Sequence, residues 1–180
     1  VTFTFDSTGK LLTGGNIPAA LLLAESLGAD AVGINCSLGP EQMESFVDEM
    51  LTLTNLPIVI NPNAGLPVSV NGETSYPVGP EEFYAYMERF AEKGAAILGG
   101  CCGTTPEHIR LLAERLKNKP VKERHIEKKT VVSSYTHTVT FGARPILIGE
   151  RINPTGKQWV GMSQFYQNII GMQFDVLCNH

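Results

Sequence analysis

The stretch ADAVGINCSLGPEQMESFVDEMLTLTNLPIVIN, residues 29–61, contains one complete strand–helix–strand unit. Residues 29–35 are almost continuously apolar, as is typical of a strand buried on both faces of a parallel sheet. Pro40 opens a segment whose apolar side chains recur at helical spacing through residue 53, and residues 57–61 predict the next strand. Two parallel strands joined by a helix require a right-handed crossover, so this unit predicts a parallel α/β fold.

The same pattern is repeated on both sides of this unit. The sequence predicts further strands at residues 1–5 and 95–98 and further helices at residues 17–27, 80–93 and 106–116. Thr104 and Glu107, three residues apart, predict a capping box at the start of the last helix. Four consecutive βα units predict a parallel sheet and are half of an eightfold barrel. The pattern alone leaves two architectures open, a half barrel and a small doubly wound sheet.

Outside these units the sequence predicts a long loop, a linker and a second domain. Residues 62–79 are rich in Gly, Pro and Asn and predict an irregular loop, which at that length is usually functional or mobile. Residues 117–144 are predicted to form a linker, since their charged first part has no apolar periodicity. The apolar run PILIG at residues 145–149 predicts a new strand. The chain is therefore expected to divide into residues 1–116, the linker, and a second domain at 145–180.

The charge and composition of the chain exclude several classes of protein. Its 180 residues carry a net charge of −4, with 14 Lys and Arg against 18 Asp and Glu, so no nucleic-acid partner is expected. No apolar run approaches the roughly 20 residues that span a bilayer, so no membrane association is expected. The chain begins at Val1 without a charged and apolar leader, which predicts a cytoplasmic fragment of a longer protein. Four cysteines in that compartment favour metal binding or catalysis over disulfide bonds.

Three cysteines and one asparagine lie just beyond predicted strands. Cys36 follows its strand by one residue, and Asn63 follows the next strand by two. Cys101 and Cys102 come directly after the glycines that end the last strand. Since the carboxyl ends of parallel strands share one edge of the sheet, the three thiols are predicted to meet although 64 residues lie between Cys36 and Cys101.

The donor set predicts zinc with one coordination place left open. Zinc prefers tetrahedral sulfur and nitrogen ligation, and a structural zinc normally has four protein ligands, one more than the three thiols provide. Gly99, Gly100 and Gly103 give the backbone the freedom that two adjacent cysteines need to bind one ion. An ion held by three thiolates would keep an incoming thiol deprotonated and still nucleophilic, which is the chemistry of thiol alkylation. A single cysteine near a strand end is usually inert packing, so the interpretation depends on the three together.

Five motifs resemble those of the homocysteine S-methyltransferase family. Residues 99–108, GGCCGTTPEH, resemble its zinc signature, and residues 33–40, GINCSLGP, resemble the motif around its first zinc cysteine. Residues 61–65, NPNAG, and residues 8–14, TGKLLTG, also fit the family. Residues 149–156, GERINPTG, resemble the opening of the pterin-binding domain that follows in cobalamin-dependent methionine synthases, the branch that the chain resembles most.

The resemblance implies a fold, a reaction and a ligand set. The fold is the C-terminal half of the homocysteine-binding (β/α)8 TIM-type barrel, followed by a truncated start of the pterin-binding domain. Cys36, Cys101 and Cys102 would bind zinc and carry the catalysis. The homocysteine sulfur would take the fourth place, with Asn63 close to the metal or the substrate. The methyl donor would be methylcobalamin on a separate corrinoid-binding module, not bound by this chain, recharged from methyltetrahydrofolate at the second barrel.

Two other functions stay open. A catalytically inactive zinc-binding fragment is the first, because half a barrel leaves two unpaired parallel edges that favour self-association or aggregation. A homocysteine methyltransferase with another donor, such as betaine or S-methylmethionine, is the second, and residues 149–156 argue against it. The chain alone is expected to be inactive, since the family's barrel has four further βα units before residue 1.

Several other candidate ligands are predicted to play no part in the site. Cys178 lies in the divergent tail, where the resemblance has ended, and is predicted to be a bystander thiol. His108 is predicted to be a capping or surface residue at the start of the last helix. His125 and His137 are predicted to be solvated in the linker.

Overall fold

The structure of the protein is a computed structural model that describes residues 1–146. The helices are α1 (Ile17–Ser26), α2 (Pro40–Leu53), α3 (Pro80–Lys93) and α4 (Pro106–Leu116). The strands are β1 (Thr2–Phe3), β2 (Val32–Asn35), β3 (Ile58–Asn61), β4 (Val68–Val70), β5 (Glu73–Ser75), β6 (Ile97–Leu98), β7 (Thr130–Ser133) and β8 (Thr138–Phe141). All but the first two residues of the domain predicted at 145–180 lie outside the described residues, as do the GERINPTG motif and Cys178.

Four parallel strands form the main sheet in the order β1-β2-β3-β6, which is also their order along the chain. Right-handed crossovers between strands that advance in one direction put every connecting helix on the same side of the sheet. Consecutive helices do contact each other, from α1 through α4. A doubly wound sheet would instead reverse its strand order and carry helices on both faces. The predicted parallel α/β class is confirmed, and the winding is that of a (β/α)8 barrel segment.

One face of the sheet is packed against the helices. Val32 and Ile34 in β2, and Ile58 and Ile60 in β3, point to this face and are fully buried. The helices α2 and α3 contribute fully buried side chains at helical spacing: Met43, Val47, Met50, Phe83, Met87 and Phe90. Burial of large apolar side chains is the main favourable contribution to folding, so this layer forms the core of the unit.

The opposite face of the sheet is more exposed than the face that packs against the helices. It carries the alternate side chains, among them Val59, which is partly buried, and Ile97, which is 48% exposed on the edge strand β6. In a closed barrel this face is the filled interior. The outer edges of β1 and β6, which no strand of residues 1–146 pairs with, are those of an open barrel segment.

Proline in the first turn places the helix starts where the sequence predicts them. Pro40, Pro80 and Pro106 open α2, α3 and α4, whose bounds match the prediction. Gly94 ends α3 in the left-handed conformation, with φ 116°. The longest of these helices have 14 residues, and within residues 1–146 no helix is both long and apolar enough to cross a membrane.

The capping box predicted at the start of α4 is wrong by one residue. Pro106 occupies the first helical position, so the N-cap is Thr105 rather than Thr104, and the third helical residue is His108 rather than Glu107. The Thr105 N–H donates to His108 Nδ1 at 3.1 Å, which is the capping role predicted as one option for this histidine. His108 is 4% exposed and is therefore not a surface residue.

The loop predicted at residues 62–79 contains a β-hairpin that sequence reasoning missed. Strands β4 and β5 pair antiparallel across a two-residue turn of Asn71 and Gly72, both with positive φ (53° and 84°). An Asn-Gly pair is a strong signal for such a turn. The flanking strands, however, have only three residues each and are exposed, so their alternation is too short to stand out.

The described residues fall into two compact units. The first is Val1–Glu127, and the second begins at Lys128 and contains β7 and β8, which pair as an antiparallel hairpin. The first unit therefore includes the beginning of the segment predicted as a linker. His125 in the first unit and His137 in the second are both exposed.

Arg124 fixes the segment after α4 to the rest of the first unit. Its guanidinium donates to three backbone oxygens around the end of α2, those of Leu51, Thr54 and Leu56, at 3.2, 2.9 and 2.6 Å. Because these acceptors lose a charged donor, we expect Arg124→Ala to lower the free energy of unfolding by about 2 kcal/mol. Urea unfolding followed by circular dichroism measures the change, with Lys122→Ala, at an exposed position in the same segment, as the control. Equal midpoints for the two variants would contradict this role.

Candidate metal centre

Cys36 turns away from the end of β2 in a left-handed backbone conformation. Its φ is 55° and that of Ser37 is 63°, values that residues other than glycine seldom adopt. The Cys36 N–H donates to Asn61 O at 3.0 Å and so extends the ladder between β2 and β3 by one residue. The turn closes where the Leu38 N–H donates to Cys36 O at 2.7 Å. These bonds fix Cys36 at the carboxyl edge of the sheet.

Cys101 and Cys102 lie in a tight turn between β6 and α4. The Cys101 N–H donates to Pro62 O at 2.8 Å, in the loop that follows β3. Cys101 O accepts hydrogen bonds from the Thr104 N–H at 3.2 Å and from the Thr104 hydroxyl at 2.7 Å. Gly103 supplies the left-handed residue that this turn needs, with φ 77°. The turn places both adjacent cysteines at the same edge as Cys36.

The loop after β3 lies between the two cysteine loops and binds both of them. The Asn63 N–H donates to Leu38 O at 2.9 Å, and the Ala64 N–H donates to Cys102 O at 2.8 Å. The Asn63 side chain is buried, and its Oδ1 accepts a hydrogen bond from the Cys102 N–H at 3.0 Å. Hydrogen bonds thus join three separate βα loops into one rim.

The three sulfur atoms form one cluster at this rim. Cys36 Sγ lies 3.7 Å from Cys102 Sγ, Cys101 Sγ lies 4.0 Å from Cys102 Sγ, and all three lie within 4.8 Å of one another. A disulfide requires about 2.05 Å, and these are free thiols. Sulfur atoms bound at about 2.3 Å around a tetrahedral zinc ion would be about 3.8 Å apart. The donor set and its spacing therefore fit zinc.

The thiols of the cluster differ in their acidity. Burial raises the pKa of Cys101 to about 11, and hydrogen bonds with the other two thiols act in the same direction. Burial also acts to raise the pKa of Cys36, but hydrogen bonds from the Ser37 N–H, the neighbouring thiols and Asn63 outweigh it, and the pKa is lowered. Cys36 therefore ionises more readily than Cys101.

A family model gives the relationship of the chain to known proteins. The model, described as homocysteine S-methyltransferase, matches residues 1–116, which is more than half of the chain. The chain belongs to this family. The family resemblance predicted from its motifs is thereby confirmed, and with it the prediction that the chain derives from a family of methyltransferase enzymes.

Two methionine synthases are relatives of this homocysteine S-methyltransferase family member. The protein from Mycobacterium leprae (strain TN) is 38% identical over 166 residues, which cover 88% of the chain and 14% of the relative. The protein from Mycobacterium tuberculosis (strain ATCC 25618 / H37Rv) is 39% identical over 158 residues, covering 86% and 13%. The chain thus spans about one seventh of the length of these curated relatives. A crystal structure of the homocysteine methyltransferase MmuM from Escherichia coli, metallated form, has 29% identity and a TM-score of 0.48, covering 63% of this chain and 35% of that one.

Tyr76 also lies beside the cysteines. The sequence did not predict any role for this residue in the site. A Cβ on Gly103 would lie 2.2 Å from Tyr76 Cγ, so the tyrosine packs directly against this glycine. Burial raises the pKa of the Tyr76 phenol, and the nearby Cys102 thiol raises it further. The sequence signal is weak, since it consists of one aromatic residue in a polar loop rich in Gly and Pro.

His108 lies close to the rim, but both its ring nitrogens are engaged elsewhere. Nδ1 accepts the Thr105 N–H, so the ring hydrogen lies on Nε2, which donates to Val78 O at 3.0 Å. The ring packs edge-on against Phe83, with 5.3 Å between the ring centroids. This histidine therefore holds the loop after β5 against α4 and offers no free nitrogen to a metal ion.

Proposed function

We propose that Cys36, Cys101 and Cys102 hold a zinc ion whose fourth place takes the sulfur of homocysteine, in a zinc-dependent homocysteine S-methyltransferase that forms methionine. The observation that carries the proposal is the spacing of the sulfur atoms, 3.7 and 4.0 Å along two sides of the cluster. Membership of the family supports the choice of substrate. When bound, zinc would supply a Lewis acid that keeps a coordinated thiol deprotonated at neutral pH.

The chain's own residues hold the ligands in place and leave one side of the cluster open. Cys102 is exposed, whereas Cys36 and Cys101 are partly buried, so a small thiol has access from the solvent side. Asn63 acts as a positioning residue, because its side-chain oxygen accepts the Cys102 N–H at 3.0 Å and its own N–H donates to Leu38 O, in the loop that carries Cys36. The same position puts Asn63 beside the place that a substrate sulfur would occupy, in agreement with the substrate-binding role that the resemblance implies.

The reaction that fits this site is methyl transfer to sulfur. The homocysteine thiol loses its proton to solvent, and its sulfur then forms a bond to the methyl carbon of a methylcorrinoid. When bound, the methylcorrinoid would supply an electrophilic methyl group and keep the electron pair of its carbon–cobalt bond, so the product side chain would be a neutral thioether. Relatives named methionine synthase and the GERINPTG motif at residues 149–156 support methylcobalamin on a separate corrinoid-binding module as the donor.

The location and the domain division belong to the same proposal. The chain would act in the cytoplasm, with the zinc site in residues 1–116 and a linker at residues 117–144. The second domain, at residues 145–180, would be the start of the pterin-binding domain of a longer protein. Support comes from the relatives, of which this chain covers about one seventh.

A second function, that of a zinc-binding fragment without catalytic activity, is also supported. The outer edges of β1 and β6 are unpaired within residues 1–146, and Ile97 on the edge strand is 48% exposed. A substrate at the rim would be enclosed on one side only, and the open edges would favour self-association. In this function the chain binds zinc but transfers no methyl group.

Metal analysis and cobalt substitution test the proposal. The freshly purified, reduced chain is expected to contain about one zinc ion, as a three-thiolate site with an open place would. In a Co²⁺-substituted sample, homocysteine should change the visible absorption, because a fourth sulfur enters the coordination sphere, whereas methionine, which has no thiol, should not. Absence of zinc from the reduced chain would contradict both functions. A spectrum that homocysteine leaves unchanged would contradict substrate binding and favour the inactive fragment.

A further inference from the structure

The three thiols at the rim form a set with no fourth protein ligand. Cys36 Sγ lies 3.7 Å from Cys102 Sγ, Cys101 Sγ lies 4.0 Å from Cys102 Sγ, and the third pair of sulfur atoms is at most 4.8 Å apart. Within residues 1–146, no His, Asp, Glu or further Cys side chain joins this group. The described part of the chain therefore offers three sulfur donors at one place.

An element that forms three bonds to sulfur would be fully satisfied by this set. Trivalent arsenic binds three thiolates at the base of a pyramid, with its lone pair at the apex. Thiolate sulfur is a soft ligand and selects soft ions. The bond angles at arsenic are narrower than tetrahedral, so its three sulfur atoms lie slightly closer together than the about 3.8 Å that they take around zinc. Two of the three pairs already have nearly this spacing.

We propose that Cys36, Cys101 and Cys102 also form a binding site for trivalent arsenic, supplied as arsenite, and that the bound arsenic excludes zinc. In neutral solution arsenite is the small, uncharged acid As(OH)₃, which has access to the exposed Cys102. Each thiol sulfur forms a bond to arsenic in place of one hydroxyl, which leaves with the thiol proton as water. Three waters are released for each arsenic, and neither arsenic nor sulfur changes its oxidation state. Exclusion of the homocysteine sulfur by the arsenic rests on the proposed function.

The third bond to arsenic depends on the fold. Cys101 and Cys102 are adjacent, so this pair could bind arsenic through two sulfur atoms without any distant residue. Cys36 comes from another loop, with 64 residues between it and Cys101. Hydrogen bonds from the Asn63 and Ala64 N–H groups join the loops that carry these cysteines. A bond to a third thiol that is already held in place is intramolecular, and such linkage raises overall affinity on the order of 100-fold or more.

Two arsenic compounds with different numbers of exchangeable groups test the site. Arsenite can bond to three thiols, whereas methylarsonous acid, CH₃As(OH)₂, can bond to only two. The full chain, reduced with a phosphine and freed of metal by a chelator, is expected to bind arsenite through three thiols. In Cys36→Ser the arsenite affinity should fall on the order of 100-fold, because one of the three bonds is lost. Its affinity for methylarsonous acid should stay close to that of the wild type, since Cys101 and Cys102 remain.

Two further variants control for other thiols and for misfolding. Cys178→Ser should keep the arsenite affinity of the wild type. Cys101→Ser leaves Cys36 and Cys102, whose sulfur atoms lie 3.7 Å apart only because the chain is folded, so methylarsonous acid should bind to this variant and be released in concentrated urea. Equal arsenite affinities of the wild type and Cys36→Ser would assign the binding to the adjacent pair and overturn the inference. Binding to Cys101→Ser that urea leaves unchanged would overturn it as well.

Competition with zinc separates this inference from the proposed function. The arsenic-loaded chain should take up no zinc, because both need the same three sulfur atoms. Binding of one arsenic and one zinc at the same time would overturn the inference and leave the zinc site standing. A chain that binds arsenite through three thiols but takes up no zinc when arsenic is absent would overturn the proposed function and leave the arsenic site standing.

Discussion

Zinc is expected to dissociate from the chain when Cys36 is replaced by serine. A serine hydroxyl stays protonated at neutral pH and is a poor zinc ligand, so the site keeps only the two thiolates of Cys101 and Cys102. Structural zinc sites contribute about 10–16 kcal/mol, or about 3 kcal/mol per ligand when divided among four, so zinc affinity should fall at least ~100-fold. Dialysis against a competing chelator, followed by metal analysis, measures the loss.

Two controls separate this loss from damage to the fold. Cys178→Ser makes the same chemical change at a cysteine assigned no role in the site, and it should retain zinc. The far-ultraviolet circular dichroism of Cys36→Ser should match that of the wild type, since serine keeps the shape of the side chain and the N–H that donates to Asn61 O. Zinc retained by a folded Cys36→Ser variant would remove this residue from the ligand set.

The greatest loss of stability is expected from Gly33→Ala. Gly33 pairs with Val59 between β2 and β3, and an added Cβ would lie 2.0 Å from Val59 O and 2.6 Å from Val59 Cβ. The carbonyl belongs to the backbone of the central strand pair, so it cannot move away without opening the sheet. The free energy of unfolding should fall by about 3 kcal/mol or more, at the upper end of what overpacking costs.

Urea unfolding measures this effect, with Gly142→Ala as the control. Within residues 1–146, no atom other than those of its chain neighbours lies within 4 Å of the Cβ that Gly142 would gain, so that variant should unfold close to the wild-type midpoint. Because β2 leads directly into Cys36, Gly33→Ala should also weaken zinc binding wherever the chain remains folded. Equal stabilities of the two alanine variants would mean that β2 and β3 lie further apart than described.

The helices could be predicted because local signals mark their ends. The proximity of the cysteines could be predicted from the direction of the strands. Proline in the first turn marks the starts of α2, α3 and α4, and Gly94 marks the end of α3. The three thiols were predicted to meet because parallel strands present their carboxyl ends at one edge. That rule needs only the elements and their direction, and the structure does bring Cys36, Cys101 and Cys102 together.

Other features depend on contacts that the sequence does not record. The strand order that distinguishes a barrel segment from a doubly wound sheet is set by packing between successive βα units rather than within one βα unit. Tyr76 packs beside the cysteine turn only because Gly103, 27 positions along the chain, has no side chain and leaves room for the ring. The N-cap of α4 was misplaced by one residue because Thr104 and Thr105 are chemically alike, and only the position of Pro106 distinguishes them.

The hydrogen bonds that join the three loops of the rim make the site preorganised. The Asn63 N–H, the Ala64 N–H and the Cys101 N–H each donate to a neighbouring loop, so the backbone around the thiols is ordered by folding itself. The conformational entropy of these loops is then lost before any ion arrives. Small zinc modules that fold only around their metal use part of the ligation free energy to order the chain. If this chain binds zinc as proposed, that free energy would remain available for holding a guest sulfur, and the ion could exchange while the barrel segment stays folded.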